Sequence, residues 1–468
     1  MLKAVDMDLE DYDSGNMNLI QEFPWSKNFE FLPSTKIQHP FRHLPAMSIS
    51  SVCTRWRSVA LSSSAIWSRI SLELSTENSR LPNVQSLLSD FLDTVKLHLH
   101  RSGQHPLTVE LNVTGSPDDQ DSVIPHQLLA FDLVCNYSWC SFEINGRESM
   151  SYIPKPRFDS IRNCHALTNL KLWITNDTDK ELELFKQANR LRSLSLASLG
   201  DTPLQWNKIS SLTVDSIDGQ IGNVLEHASS PKELVLGERR DQDSLPVSPY
   251  VPPRLCTSVS TLKLELLLNW DDSLADVAFS SFTFPSLSCL VIMTHNEYPY
   301  EGPWPKVALR AFLHRSSCKL TVFEIRNVSV SDIDLIAALK LMPSLINLYI
   351  DDTPVGDDPT SPITSQFIRS LHGFLWTELN PSGSALVSRL RDLQLTFDGL
   401  EFDDSAFIDM VSSRWLPDTQ YASDIGLSCL RVATLQFNAR AVDQAVYSPL
   451  DYLDKAGMRV VVLGTDDF

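Results

Sequence analysis

No stretch of the 468-residue sequence approaches the run of about 18 uninterrupted apolar residues that a membrane-spanning helix needs, so no membrane partner is expected. Basic residues are in short supply. The 39 lysines and arginines face 58 aspartates and glutamates, for a formal net charge of -19. Nucleic acid is therefore an unexpected ligand, because its binding rests on a basic surface that would have to be built against the overall field. The eight cysteines, at positions 53, 135, 140, 164, 256, 289, 318 and 429, form no C-x-x-C pair and no zinc-type spacing with histidine. They read as buried thiols of a reducing compartment. The opening residues lack a basic start followed by an apolar core, which predicts no secretory signal and a cytoplasmic or nuclear location, or both. Catalytic motifs are missing as well: G-x-S-x-G, G-x-G-x-x-G, H-E-x-x-H and G-x-x-x-x-G-K are all absent. His98 and His100 would fall on different faces of a helix, and the pairs Asp271 with Asp272 and Asp403 with Asp404 read as loop or capping residues. No enzyme, metal site or cofactor is expected.

A leucine-x-x-leucine-x-leucine frame recurs in place of these motifs. Leu167, Leu170 and Leu172 set it, and Leu191, Leu194 and Leu196 repeat it unchanged. It continues in Ile209, Leu212 and Val214; Leu234 and Leu236; Val259, Leu262 and Leu264; and Leu287, Leu290 and Ile292. The last segments are Leu320, Phe323 and Ile325; Leu345, Leu348 and Ile350; Leu390, Leu393 and Leu395; and Val432, Leu435 and Phe437. Most steps between the central residues lie in or near the roughly 20 to 29 of leucine-rich repeats, and the two longest leave room for a helix and an inserted loop. One or two such segments would arise by chance in a chain that is 43% hydrophobic, but ten in one frame would not. The fold class predicted is α/β: a leucine-rich-repeat solenoid with short parallel strands and irregular helices, preceded by a small helical segment. The asparagine that usually turns the chain after the second leucine is replaced by Thr175, Leu199 and Val328 in three repeats, so uneven connections are expected.

Residues 1–45 read as an acidic, poorly ordered tail, 46–104 as helices, and 105–468 as the repeats. Val52, Cys53, Trp56, Val59 and Ala60 have the spacing of one helical face over Ser48 to Leu61, which predicts an inward-packing Trp56. Leu87 to Leu99 predicts another helix, and Leu107, Val109, Leu111 and Val113 a strand. Trp139, Phe142 and Ile144 read as a degenerate first repeat. Ser331 with Asp334 resembles a capping box ahead of Leu335, Leu339 and Met342, and Asp404 is a candidate cap for a helix that buries Phe407, Met410 and Val411. Asp241 to Pro253, Asp351 to Pro362 and Asn380 to Ser384 carry loop residues.

The stretch SISSVCTRWRSVALSSSAIWSRISL, from Ser48 to Leu72, holds the pair Val52 and Cys53, then Arg55, Trp56, Ala60 and a second tryptophan, Trp67. It resembles the second half of an F-box. The segments FLHRSSCKLTVFEI, FDDSAFIDMVSSRW and KAGMRVVV are similar to the body of fungal F-box proteins with leucine-rich repeats. The usual opening of the motif, leucine-proline followed by an acidic residue and an amphipathic helix, is reduced to Leu32-Pro33 and Leu44-Pro45, which makes the F-box partial. The resemblance implies a substrate-recognition subunit of an SCF-type ubiquitin ligase. In it Val52, Cys53, Arg55, Trp56, Arg57 and Trp67 would serve as core or contact of the segment that holds a Skp-type adaptor and, through it, a cullin scaffold. The repeats would hold an unidentified protein substrate. The other reading open at this point is a non-enzymatic leucine-rich-repeat interaction scaffold without a ubiquitin role.

Side chains between the buried leucines must point the other way, onto the concave face expected of such a stack. That rule selects Lys171 and Trp173, Lys263 and Glu265, Val291 and Met293, Glu324 and Arg326, and Tyr349 and Asp351 for target binding. Trp173, Met293, Arg326 and Tyr349 are the expected anchors, being large amphipathic groups.

Overall fold

A strand with leucines at alternate positions has one apolar face, and only similar strands laid alongside extend that face into a core. The computed structural model describes residues 45–75, 84–114, 125–145, 164–173, 182–199, 208–216, 224–227, 230–237, 252–266, 274–294, 304–352, 361–374 and 385–465. His43–Phe468 form one unit. The expected tail lies outside the described residues except for Pro45, as do Asn380 to Ser384 and most of the two other expected loops.

The strands are β1 (Arg69–Ser75), β2 (Leu107–Thr114), β3 (Trp139–Asn145), β4 (Asn169–Trp173), β5 (Ser193–Ser198), β6 (Ser211–Ser216), β7 (Glu233–Gly237) and β8 (Arg254–Leu255). They continue with β9 (Thr261–Leu266), β10 (Phe282–Thr283), β11 (Cys289–Thr294), β12 (Val322–Arg326), β13 (Asn347–Asp352), β14 (Asp392–Phe397), β15 (Val432–Phe437) and β16 (Arg459–Leu463). All but β8 and β10, which pair with each other, form a single 14-stranded parallel sheet whose order follows the chain. The architecture is thus α/β around one large, repeat-like parallel sheet.

The leucine frame sets the register. One row runs through Ile70, Val109, Phe142, Leu170, Leu194, Leu212, Leu234, Leu262, Leu290, Phe323, Leu348, Leu393, Ala433 and Val460. A second row lies two residues further along each strand, and both are buried up to β15. Each fully buried leucine contributes about 1.5 to 3 kcal/mol relative to exposure. One frame is corrected: Leu435 stands beside Leu395, and Ala433 beside Leu393. A slip of two residues keeps every side chain on its face, so alternation alone does not reveal it. The sheet also starts ahead of residue 105, because β1 pairs with β2 from Arg69 and Thr108 onward.

A second device joins the strand starts. The carbonyl just before a strand accepts two successive N–H groups of the next: Arg192 and Ser193 donate to Thr168 at 2.8 and 3.0 Å, and Ser288 and Cys289 donate to Ser260 at 2.9 and 3.0 Å. Hydroxyls of Thr168, Ser210, Ser260, Ser288 and Thr321 add a further donor to the preceding carbonyl, at 2.9 to 3.2 Å. Backbone groups at the chain's entrance to the main-sheet strands from β5 to β15 are thereby satisfied.

The connections carry helices that touch one another in sequence and bury their apolar faces, as with Phe279 and Phe312 at 5.1 Å. The N-cap half of the box expected at Ser331 is present, its hydroxyl accepting from Asp334 N at 3.1 Å, while the Asp334 carboxylate faces Lys306 at 3.7 Å; Leu335, Leu339 and Met342 are buried. Helix Asp404–Arg414 is capped by Asp403, not Asp404; Asp403 accepts from Ala406 N at 3.1 Å, while Asp404 turns to Arg440 and Tyr447. All eight thiols are free, yet only Cys135, Cys164 and Cys429 are buried, and Cys53 is exposed. No helix among the described residues is long and apolar enough to cross a membrane.

Candidate functional site

Two groups of residues stand apart from the core: a pair of short helices ahead of β1, and the sheet face opposite the leucines. The single helix expected over Ser48 to Leu61 is broken at Cys53, whose extended backbone (φ -157°, ψ 172°) separates Pro45–Val52 from Thr54–Ser62. The break has a local cause. Ser50 and Ser51 turn their hydroxyls back to the carbonyls of Met47 and Ser48, at 2.9 and 2.7 Å, and Arg57 Nε donates to the Ser50 carbonyl at 2.9 Å. Of these, the Ser50 carbonyl is the one that a continuing helix would have bonded to Thr54 N, and Arg57 takes it instead. The helical face read across the break therefore does not exist. Trp56 is 49% exposed and Val52 65%, with Cys53, Arg55, Arg57 and Val59 exposed too, so the expected inward packing of Trp56 is overturned. Ala60 and Trp67 carry the packing. The Trp67 indole donates to the Ala60 carbonyl at 2.7 Å and meets the ring of His98 edge-on at 4.9 Å. His98 Nδ1 donates to the Trp67 carbonyl at 3.3 Å, and burial lowers the imidazole pKa. His100, on the same helix Val84–Ser102, is exposed.

On the sheet, eight of the ten selected side chains do form one patch. Lys263, Val291, Glu324 and Tyr349 make one row across β9, β11, β12 and β13, and Glu265, Met293, Arg326 and Asp351 make the next. Lys171 and Trp173 on β4 are not part of it, since β5, β6 and β7 intervene, roughly 19 Å at the usual strand spacing. Val291 shares the face but is only 3% exposed, while Trp173 and Met293 are half-buried.

Neighbouring acids engage several of the selected side chains, inside the patch and outside it. Lys171 pairs with Glu143 of β3 at 3.0 Å, and Lys263 with Glu233 of β7 at 2.6 Å. The Lys263 bond holds the Glu233 carboxyl below its ordinary range. Arg326 pairs with Glu324 two residues back. The Tyr349 hydroxyl donates to Asp392 of β14 at 3.2 Å; burial first, then the Asp392 charge, pushes this phenol up. Glu143 and Asp392 were legible, since each falls between or beside the apolar residues of its own frame. No group of histidines, cysteines and carboxylates able to hold a metal occurs among the described residues.

No protein-family model matches the sequence, and no curated protein matches it. Among solved structures, the chain is similar to a Bacteroides fragilis protein from a structural genomics programme, at 12% identity and a TM-score of 0.36, over 60% of this chain and 74% of that one. A likeness that loose carries no argument about fold or function.

Proposed function

We propose that the chain is a leucine-rich-repeat solenoid with a partial F-box, acting without catalysis as the substrate-recognition subunit of an SCF-type ubiquitin ligase. The observation that carries this reading is the exposure of Met47, Val52, Trp56, Val59 and Leu61 on two short helices anchored by the buried Ala60 and Trp67. Exposed apolar side chains gathered in one short segment mark an interaction site more often than a free surface. A Skp-type adaptor, itself bound to a cullin scaffold, is the partner that the sequence resemblance supplies. The patch from Lys263 to Asp351 is the surface assigned to the protein target.

Titration of purified Skp-type adaptor against the native chain and Trp56→Ala tests the first half. Because Trp56 is half exposed, its truncation should leave the thermal midpoint nearly unchanged while weakening adaptor binding roughly tenfold or more, as for an interfacial aromatic anchor. No adaptor binding by the native chain would refute the reading. For the target, Glu324→Lys with Arg326→Glu and Tyr349→Ala should remove partners that the native chain captures, with the fold checked by circular dichroism. Retention of every partner by the folded variant would move the target site to the inserted loops.

A second reading, an interaction scaffold without a ubiquitin role, is favoured by one observation. The segment resembling an F-box runs directly into β1, which pairs residue for residue with β2, so its helices can serve as the cap of the sheet. The same adaptor titration separates the two.

A further inference from the structure

The segments that lead into the sheet strands carry no acid. At the leading edge, where the chain enters the strands, the four residues ahead of each of the 14 sheet strands include no aspartate or glutamate, in a chain that holds 58 of them. Basic residues stand there instead: Arg192 before β5, Lys232 before β7, Arg389 and Arg391 before β14 and Arg431 before β15; the first strand position holds both signs, Glu233 in β7, Asp392 in β14 and Arg459 in β16. Acids gather where the strands end, as with Asp351 and Asp352 closing β13 and Asp398 directly after β14. The net negative charge is thus laid out asymmetrically across the sheet.

The arginines of β14 to β16 are the densest part of this edge. Arg431 N donates to the Arg391 carbonyl at 2.7 Å, which sets these two on adjacent strands at about the 4.8 Å spacing, and Arg459 N donates to the Arg431 carbonyl at 2.9 Å while standing one residue further along, opposite Val432 and in the row of Asp392. All four side chains, Arg389 included, are exposed. Among the described residues Arg389, Arg391 and Arg431 form no ion pair, and the Arg459 charge is felt by Asp392, which already accepts from Tyr349. Arg431 rests on an aromatic base, its guanidinium carbon 5.7 Å from the Trp415 ring centre. Two other arginines of the same repeats are paired, Arg369 with Asp403 at 3.1 Å and Arg440 with Asp404 at 2.6 Å. Like charges on adjacent strands repel, and a row of them without counter-charges lowers stability unless something anionic joins it.

We propose that Arg389, Arg391, Arg431 and Arg459 form a docking site for an acidic segment of a partner protein, whose carboxylates the guanidinium forks would take in bidentate fashion. A short peptide fits better than a nucleic acid, because a long polyanion would also run over the acidic remainder of a chain with a net charge of -19. The proposal stands apart from the ubiquitin-ligase reading and does not depend on it.

The test is fluorescence anisotropy of the full chain with three labelled probes: a short peptide of alternating aspartate and serine, the same peptide with asparagine for aspartate, and a single-stranded oligonucleotide of equal charge. The aspartate peptide should bind, weaken steeply as added salt shortens the Debye length below about 8 Å, and lose roughly tenfold in affinity on Arg391→Gln with Arg431→Gln. If that double variant loses its native circular dichroism spectrum, Arg389→Gln alone carries the test with a loss of about threefold. Equal binding of the asparagine peptide, tighter binding of the oligonucleotide, or an unchanged affinity in the folded variants overturns the proposal.

Discussion

Arg414 closes helix Asp404–Arg414 with no solvent exposure, so its replacement should be among the most damaging single changes in the chain. Its guanidinium donates to three backbone carbonyls: Nε to Leu371, Nη1 to Val387 at 3.2 Å and Nη2 to Leu386 at 2.5 Å. Burial lowers its pKa from 12.5 to about 10, and at about 1.4 kcal/mol per unit the buried charge carries a penalty of about 3 kcal/mol at neutral pH. Three hydrogen bonds from a charged donor contribute about 1.5 to 3 kcal/mol each, which outweighs that penalty by about 1.5 to 6 kcal/mol. The three carbonyls hold two segments distant in sequence, around Leu371 and around Leu386. Val387, a β-branched residue, sits at φ 45°, a backbone state that persists only when its surroundings impose it. Arg414→Leu should therefore destabilise the structure by about 4 kcal/mol, near the middle of that range. The damage should be local, because each strand contacts its neighbours along the sheet and not the far end. Hydrogen exchange should show lost protection across β14 and β15 and native protection at β1 to β7. Unchanged protection around Leu371 and Leu386, together with an unchanged urea midpoint, would refute the assignment of Arg414 as the pin between these segments.

Two further changes test particular contacts. Gly399 lies at φ 78°, and a Cβ there would stand 2.0 Å from Phe437 Cδ1, inside an aromatic cluster with Phe397 and Phe402; Gly399→Ala should lower the thermal midpoint through a loss of about 3 kcal/mol. Glu233 is held below the ordinary carboxylate range chiefly by its bond to Lys263, so its contribution is fully present above the unfolded-state pKa and is lost as pH falls through the lowered folded value; Lys263→Met should flatten this small acid limb in urea titrations, and an identical limb would show that other carboxylates produce it.

Register was legible in the chain because alternating leucines can be buried in only one parity. The rows from Leu170 to Leu393 stand where their spacing put them, as does the earlier row through Phe142. At β15 two parities-preserving frames compete, and Ala433 offers no bulk to show which applies; the structure takes the frame with Phe437 opposite Phe397, at 5.4 Å. The helix before β1 failed for a different reason. Apolar spacing over Ser48 to Leu61 does not register the extended backbone at Cys53, where Arg57 takes the Ser50 carbonyl that a continuing helix would have used. On the sheet face, alternation identified which side chains point outward, the acids Glu233 and Asp392 included, but not which pairs form, since that depends on the geometry between neighbouring strands.

Those acids bear on how a partner could be held. A ligand that meets Lys263, Arg326 or Tyr349 must compete with Glu233, Glu324 and Asp392, exchanging one partially solvated ion pair or hydrogen bond for another. Such exchange contributes little net free energy, usually below about 1 kcal/mol for an exposed pair. Affinity on this face must then come from the half-buried Met293 and its apolar surroundings, while the paired charges select the partner by rejecting those that leave them unmatched. At the leading edge the balance is reversed. Arg391 and Arg431 have no counter-charge among the described residues to displace, so an acidic segment arriving there relieves repulsion as well as forming new bonds. Long-range attraction toward this edge should raise the rate of encounter and fade with salt, whereas contacts on the sheet face should govern dissociation. Measuring both rate constants across a salt series therefore separates the two surfaces: Arg391→Gln with Arg431→Gln should act on association, and Tyr349→Ala on dissociation. The opposite assignment of these effects would contradict the division of roles argued from the ion pairs.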